Sequence, residues 1–170
     1  MNIIGIDPGL TGAVAMIDSG GVAYMWDTPT IVVKKGKKSK TEYLPAQMVA
    51  LLTDAPTGPV HVYIEKVGAM PGQGVTSMFN FGKGFGLWLG ILAGLKLPHT
   101  LVTPQAWKKE LMQGMADKDA ARIRAQELFP CCVDQLSRKK DIGRADAVLI
   151  AEFGRRMLCR DCRKDDGVKG

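Results

Sequence analysis

Histidine and cysteine are scarce in this chain, at two and four residues of 170, and the scarcity narrows its chemistry. His61 and His99 each sit beside an apolar strand and read as structural, so no Ser-His-Asp arrangement is in view. The chain has neither a P-loop nor a dinucleotide-binding glycine fingerprint, which argues against a nucleotide cofactor. Cys159 and Cys162 have zinc-knuckle spacing, but the adjacent pair Cys131-Cys132 would chelate poorly. Reduced free thiols are therefore expected. No apolar run reaches the roughly 18 residues of a membrane span. The longest, Phe85 to Leu95, reads as a buried helix. Asp7 interrupts the first apolar run, so the start does not resemble a signal peptide. A soluble, cytoplasmic protein is expected, with no membrane association.

What is present fits one ordinary domain. An apolar fraction of 46% over this length can bury a core without disulfides or a structural metal. The net charge is +6 and the sequence pI about 9.2. That excess favours a polyanionic partner, with nucleic acid the first choice.

Along the chain, Met1 to Ile6 reads as a buried strand stopped by Asp7-Pro8-Gly9. Thr11 to Ile17 and Val22 to Trp26 make a hairpin around Asp18-Ser19-Gly20-Gly21. The segment Lys34 to Lys40 holds five lysines in seven residues and reads as a solvated loop. Leu44 to Leu52 suggests an amphipathic helix, and Pro59 to Ile64 a buried strand running into Glu65. A flexible loop, Gly68 to Gly74, precedes a helix over Val75 to Leu95 that carries Gly82, Gly84, Gly86, Gly90 and Gly94. Glycine costs about 1 kcal/mol at each helical position, so five of them suggest close approach by another backbone, a partner helix or a ligand, or else tight packing on the sheet. His99 to Val102 reads as a fifth strand. Pro104 to Met112 and Lys118 to Phe129 read as helices, with Thr103 and Asp117 as N-caps and Gly114 and Pro130 as stops. The last helix is expected over Arg144 to Leu158. The predicted organisation is one domain over 1–158 and a polar, frayed tail over 159–170. The order describes a mixed α/β sheet with helices on both faces.

Three acids stand where buried elements end or begin: Asp7, Glu65 and Asp146. A carboxylate in such a place needs a partner. An Arg or Lys could serve each one singly. A hard cation could serve them together, because clustered carboxylates repel and Mg²⁺ or Mn²⁺ relieves the repulsion. Asp7 and Glu65 would be neighbours if the first and fourth strands pair. Two such ions can stabilise both oxygens of a phosphodiester displacement.

Several motifs resemble the RuvC family of Holliday-junction resolvases. Ile4-Gly5-Ile6-Asp7-Pro8-Gly9-Leu10 is similar to the family's opening motif, and Ile64-Glu65-Lys66-Val67 to its second acidic motif. Thr103-Pro104-Gln105 with Lys108, then Asp117-Lys118, resembles its threonine-proline and lysine region. Ala145-Asp146-Ala147 resembles the last acidic motif. They occur in family order over nearly the whole chain, closest to the phage and bacterial RuvC-like branch. The resemblance implies a five-stranded RNase H-like fold, a homodimer, two Mg²⁺ ions per site and cleavage of four-way DNA junctions in a bacterial cell interior.

Two departures matter. The family's fourth acid falls at Gly143, and the nearest acid is Asp141, five residues before Asp146. On one helix five residues put two side chains about 140° apart. Asp141 is therefore expected as a fourth catalytic and metal-binding residue only if the helix starts after it; a helix cap is the alternative. The aromatic that the family carries after its second acid is also missing. Met70, Phe79 or Phe81 could wedge against bases instead, or pack in the core or a dimer. Lys108, Lys109 and Lys118 are candidate phosphate contacts. Lys34, Lys35, Lys37 and Lys38 would add salt-sensitive DNA binding. Trp107 reads as a packing anchor. Rival readings are an RNase H-like nuclease acting on other branched DNA or on RNA, an actin-like or sugar-kinase-like ATPase fragment, and a non-catalytic DNA-binding module.

Overall fold

Strand β1 (Asn2–Asp7) is built almost wholly of apolar residues, and its side chains alternate between two cores. Ile3 points into one, Ile4 and Ile6 into the other. A strand buried on both faces belongs in the middle of a sheet. With β2 (Ala13–Ile17), β3 (Ala23–Asp27), β6 (Val60–Glu65) and β7 (His99–Val102) it forms a five-stranded sheet of order β3-β2-β1-β6-β7. The first three strands are consecutive and antiparallel, while β1 and β6, and β6 and β7, run parallel. The protein is described from a computed structural model covering residues 1–36, 38–54, 58–66, 68, 72, 74–113, 115 and 119–165, with side chains excepted at 35 and 161–165.

Helices cover both faces, as expected. α1 (Pro45–Thr53) and α2 (Val75–Gly94) pack on the face of Ile4, Ile6, Val62 and Ile64 through Met48, Leu52, Trp88 and Leu92. α3 (Pro104–Leu111), α4 (Ala120–Leu128) and α5 (Ile142–Asp165) cover the opposite face, where Trp107, Ala125, Val148 and Ile150 are buried. Thr103 caps α3 as anticipated, its Oγ1 accepting from the Ala106 amide at 3.3 Å; Asp117 and Gly114 lie outside the described residues.

Gly5 sets the distance between the two layers. A β-carbon there would collide with the Ala147 carbonyl oxygen and the Ala151 amide nitrogen. Its absence lets the backbone of α5 settle directly on the central strand.

Two expectations are corrected. The lysine-rich segment is not a loop but an antiparallel ribbon, β4 (Thr30–Lys35) and β5 (Lys38–Tyr43), turning at Gly36 with φ 62°. Lysine density obscured the β-branched run Thr30-Ile31-Val32-Val33, which drives strand formation. The last helix starts at Ile142 and runs to Asp165, through Arg160 where a frayed tail was expected.

Candidate active site

In the parallel β1–β6 ladder Ile6 lies beside Ile64, so the next step of the register sets Asp7 beside Glu65 at the strand ends. Alternation turns both away from Ile6 and Ile64 and toward α3 and α5. α5, drawn onto Gly5, carries Asp146 on its second turn to the same place. The three carboxylates line one cleft of about 460 Å³ together with Gly9, Leu10, Thr11, Tyr43 and, from α2, Ser77, Asn80 and Phe81. In open α/β sheets this end of parallel strands is where ligands bind.

The acids strain against one another. The Asp7 carboxyl is pushed up to about 6, by burial first and then by the charge of Glu65, against the Gly9 amide and Lys108. Burial also raises Asp146, to about 7, with Asp7 and Glu65 adding to it and Lys108 opposing. Glu65 is oriented by Trp107, whose Nε1 donates to Glu65 Oε1 at 2.9 Å. Trp107 is fully buried, so the packing anchor also positions an acid. Among the described residues, no three His, Cys, Asp or Glu side chains are arranged to hold an ion as they stand. The acids share a cleft rather than a finished coordination shell. The donor set is nonetheless all oxygen and short of positive charge, which suits a hard divalent cation.

This strain has a pH signature in metal-free protein. Above pH 7 both carboxylates are ionised in folded and unfolded chains, and the folded form carries the penalty. As pH falls through about 7 and 6 the folded protein takes up protons. The unfolded chain does not until the ordinary aspartate value of 3.8. Stability therefore rises on acidification, by roughly 3 kcal/mol for Asp7 alone. Asp141 and Glu152, both held below the ordinary range by arginine partners, reverse the trend only at lower pH. Thermal melts in EDTA should show Tm higher at pH 5 than at pH 8, with less gain in Asp146→Asn; a flat profile in wild type would contradict the cluster.

The structure does not bring Asp141 into the cleft. The helix does begin after it, yet Asp141, 2% exposed, turns back to Arg138. It accepts from the Arg138 amide at 2.9 Å and from the guanidinium at 2.8 and 3.1 Å. It closes a capping box on the short 3-10 turn Lys139–Asp141 rather than capping α5, and the Arg138 hydrogen bonds hold its carboxyl below the usual range. Nor could position 143 carry an acid, because a β-carbon on Gly143 would strike the Thr11 carbonyl oxygen. The Asp7–Gly12 turn occupies that space.

Other expected residues divide. Lys108 stands over the Trp107 ring at 5.1 Å and offsets Asp7 and Asp146. Lys109 is exposed on the same helix, and Lys34 and Lys38 are exposed on the ribbon. Phe79 does not line the cleft but stands 71% exposed on α2, whereas Phe81 does line it. Lys37, Met70 and Lys118 lie outside the described residues, as does the side chain of Lys35. His61 and His99 stay at the far end of the sheet, His61 Nε2 lying 2.9 Å from Thr100 Oγ1. Cys131, Cys132 and Cys159 are free.

Tyr43 was not anticipated. It is buried, and its hydroxyl donates to the carbonyls of Pro8 at 3.3 Å and Asn80 at 3.2 Å, tying α2 to the turn after Asp7. Burial and the charge of Asp7 push its phenol up to about 12. Of the five α2 glycines only Gly84 is tightly packed, against Tyr43 and Pro8. The other four face open space.

No family model matches the chain. A stretch of 92 residues is 36% identical to "Holliday junction resolvase MOC1, chloroplastic" of Chlamydomonas reinhardtii, covering 54% of this chain and 10% of that protein. The chain thus spans about a tenth of the length of that curated relative. Among solved structures, Thermus thermophilus RuvC in complex with a Holliday junction substrate superposes with a TM-score of 0.57 at 14% identity, covering 92% of this chain and 96% of that one. A second Thermus thermophilus RuvC structure gives 0.56 at 16% identity with the same coverage. The fold is that of RuvC, an RNase H-like mixed sheet between two helical layers.

Proposed function

We propose that the chain is a divalent-metal-dependent endonuclease that resolves four-way DNA junctions. One observation carries the reading: Asp7, Glu65 and Asp146, from three separate elements, line a single cleft, with Lys108 offsetting Asp7 and Asp146. A non-catalytic DNA-binding module would gain nothing from three carboxylates facing phosphate. The name of the partial relative and the junction bound in the superposed structure support the choice of substrate.

Asp7, Glu65 and Asp146 would hold Mg²⁺, or Mn²⁺ in its place, with two ions per site. When bound, such cations activate water as the nucleophile and neutralise charge on the phosphodiester oxygens. The chain's own residues do the rest. Trp107 fixes Glu65, Tyr43 fixes the turn after Asp7, and Lys108, Lys109 and Lys118 hold the backbone phosphates. Phe79, exposed on α2, offers a stacking surface for an unpaired base, and Met70, nine residues earlier in sequence, is the alternative wedge. Free cysteines at the described positions fit a reducing compartment such as a bacterial cytoplasm.

Symmetric resolution needs two nicks and hence two sites related by a two-fold axis. The open stripe Gly82, Gly86, Gly90 and Gly94 on α2 would let a second copy's helix approach closely. A homodimer through α2 is part of the proposal; a monomeric mass at micromolar concentration with full cutting activity would remove it.

A panel of four-way, flap, RNA–DNA hybrid and linear substrates, with and without Mg²⁺, tests the assignment. Preferential cutting of the four-way junction is expected. Preference for a flap or a hybrid would point instead to a nuclease of another duty on the same acids.

Two substitutions probe the acids' surroundings. Trp107→Phe keeps the ring and removes the donor to Glu65. Loss of such an outer-shell partner typically costs about 10- to 100-fold in metal affinity or activity. The Mg²⁺ concentration for half-maximal cutting should rise accordingly, and an unchanged metal titration would refute the positioning role. Asp141→Asn should leave Mg²⁺ dependence at the wild-type value while lowering Tm, since it weakens the hydrogen-bonded ion pair of buried Asp141 with the half-exposed Arg138. A metal dependence that moves, with rescue by high Mn²⁺, would restore Asp141 as a ligand.

A further inference from the structure

The ribbon β4–β5 stands apart from the main sheet, forming a two-stranded sheet of its own. Beyond its root, where Tyr43 is buried, neither face is covered. Ile31, Val32 and Val33 are 49%, 60% and 43% exposed, and the register sets Ile31 and Val33 on one face and Val32 on the other. A hairpin with neither face covered is marginal in water. Beside these aliphatic side chains stand exposed Lys34, Lys38 and Lys40, with Glu42 alone in opposition, paired to Lys40 at 3.2 Å.

Its root is fixed to the catalytic turn on both strands. Before β4, the Thr28 amide donates to the Gly12 carbonyl at 2.9 Å. At the end of β5, Tyr43 donates to the Pro8 carbonyl, and the Leu44 amide closes the base onto Pro29 at 3.0 Å. The ribbon therefore projects from the rim of the acid cleft. Six residues per strand at about 3.4 Å each give a reach of roughly 20 Å. That is about half a helical turn of B-form DNA.

We propose that β4–β5 is a clamp for one duplex arm of the substrate, laid along a groove about half a turn from the cleavage point. Lys34 and Lys38 meet phosphates, and the exposed valines and isoleucine meet the groove wall. A major groove is wide enough to admit a two-stranded ribbon. Charge complementarity selects duplex DNA over a second copy of this chain, since two such ribbons would bring lysines together. The inference rests on the junction-cutting reading for its geometry, but its binding readout is independent of cutting.

The test compares full-length wild type with the double variant Lys34→Gln/Lys38→Gln. Both bind four-way junctions with arms of about 5 and about 20 base pairs, and a plain 20-base-pair duplex, across a salt series. Each lost phosphate contact reduces the slope of log affinity against log salt by about 0.9. The variant's slope should fall by about 2 on the long-armed junction and the duplex and stay at the wild-type value on short arms. Its thermal melt should match wild type, which shows that it folds. Unchanged slopes on long arms would overturn the clamp, as would a loss of dimer mass in the variant, which would assign the ribbon to a second copy. If wild type cuts no junction, the cleavage reading fails while the duplex slopes still decide the ribbon.

Discussion

Asp7→Asn is expected to abolish cutting while leaving junction binding intact. The substitution preserves shape and the acceptor that takes the Gly9 amide hydrogen bond at 3.3 Å. It removes the charge that the other two acids and the cation must work with. Metal-ion catalysis supplies several kcal/mol of transition-state stabilisation. At 1.36 kcal/mol per factor of ten, losing about 4 kcal/mol slows the single-turnover rate roughly a thousandfold. Binding should hold or tighten, because one of three charges repelling phosphate is gone. Metal-free Tm should rise, since the folded carboxyl, pushed up to about 6, is penalised at neutral pH. These three outcomes separate a catalytic acid from a structural one. An Asp7 committed to a salt bridge would lose stability on the same change. Wild-type cutting by Asp7→Asn would remove the acid from the chemistry altogether.

The three acids were legible in the sequence because each breaks an apolar run, where an unpartnered charge needs a reason. The neighbour relation of Asp7 and Glu65 followed once β1 and β6 paired in parallel. Asp141 lies away from the cleft for a definable cause. Its partner Arg138 lies only three residues back, and one turn of local geometry is enough to consume the carboxylate before the cleft can use it. The empty position at Gly143 likewise has a tertiary cause, the Thr11 carbonyl oxygen, which no local pattern reveals. Tyr43 was invisible for the same reason, since its hydroxyl partners Pro8 and Asn80 lie 35 and 37 residues away. The ribbon was hidden differently. Its strand signal lay in Thr30 to Val33 and was outweighed by lysines that solvate a strand as readily as a loop. The glycines of α2 looked alike in sequence, and the fold distinguishes Gly84 from the four that face open space.

Gly5 supplies the largest expected effect on folding. In Gly5→Ala the new methyl carbon would meet the Ala147 carbonyl oxygen, the Ala151 amide nitrogen and the Ala151 Cα, the last at 3.0 Å. All three are backbone atoms of α5, so no side chain can rotate away. The helix itself has to lift from β1, loosening a layer in which Ala147, Val148, Ile150 and Ala151 are fully buried. Overpacking of a well-filled core costs about 1–3 kcal/mol and occasionally more, and a backbone obstacle belongs at the upper end. At about 2–4 °C per kcal/mol for a chain of this size, Tm should drop by roughly 6–12 °C. Activity should fall further than the unfolded fraction explains, measured well below Tm, because lifting α5 draws Asp146 away from Asp7. A second substitution distinguishes this cause from ordinary side-chain crowding. Ala151→Gly would relieve a clash between two methyl groups, but it leaves the Ala147 oxygen and the residue 151 nitrogen where they were. The double variant should therefore be no more stable than Gly5→Ala, and lower by about 1 kcal/mol from the added helical glycine. A Gly5→Ala protein with wild-type Tm, or rescue by Ala151→Gly, would mean that α5 does not rest on the strand through its backbone.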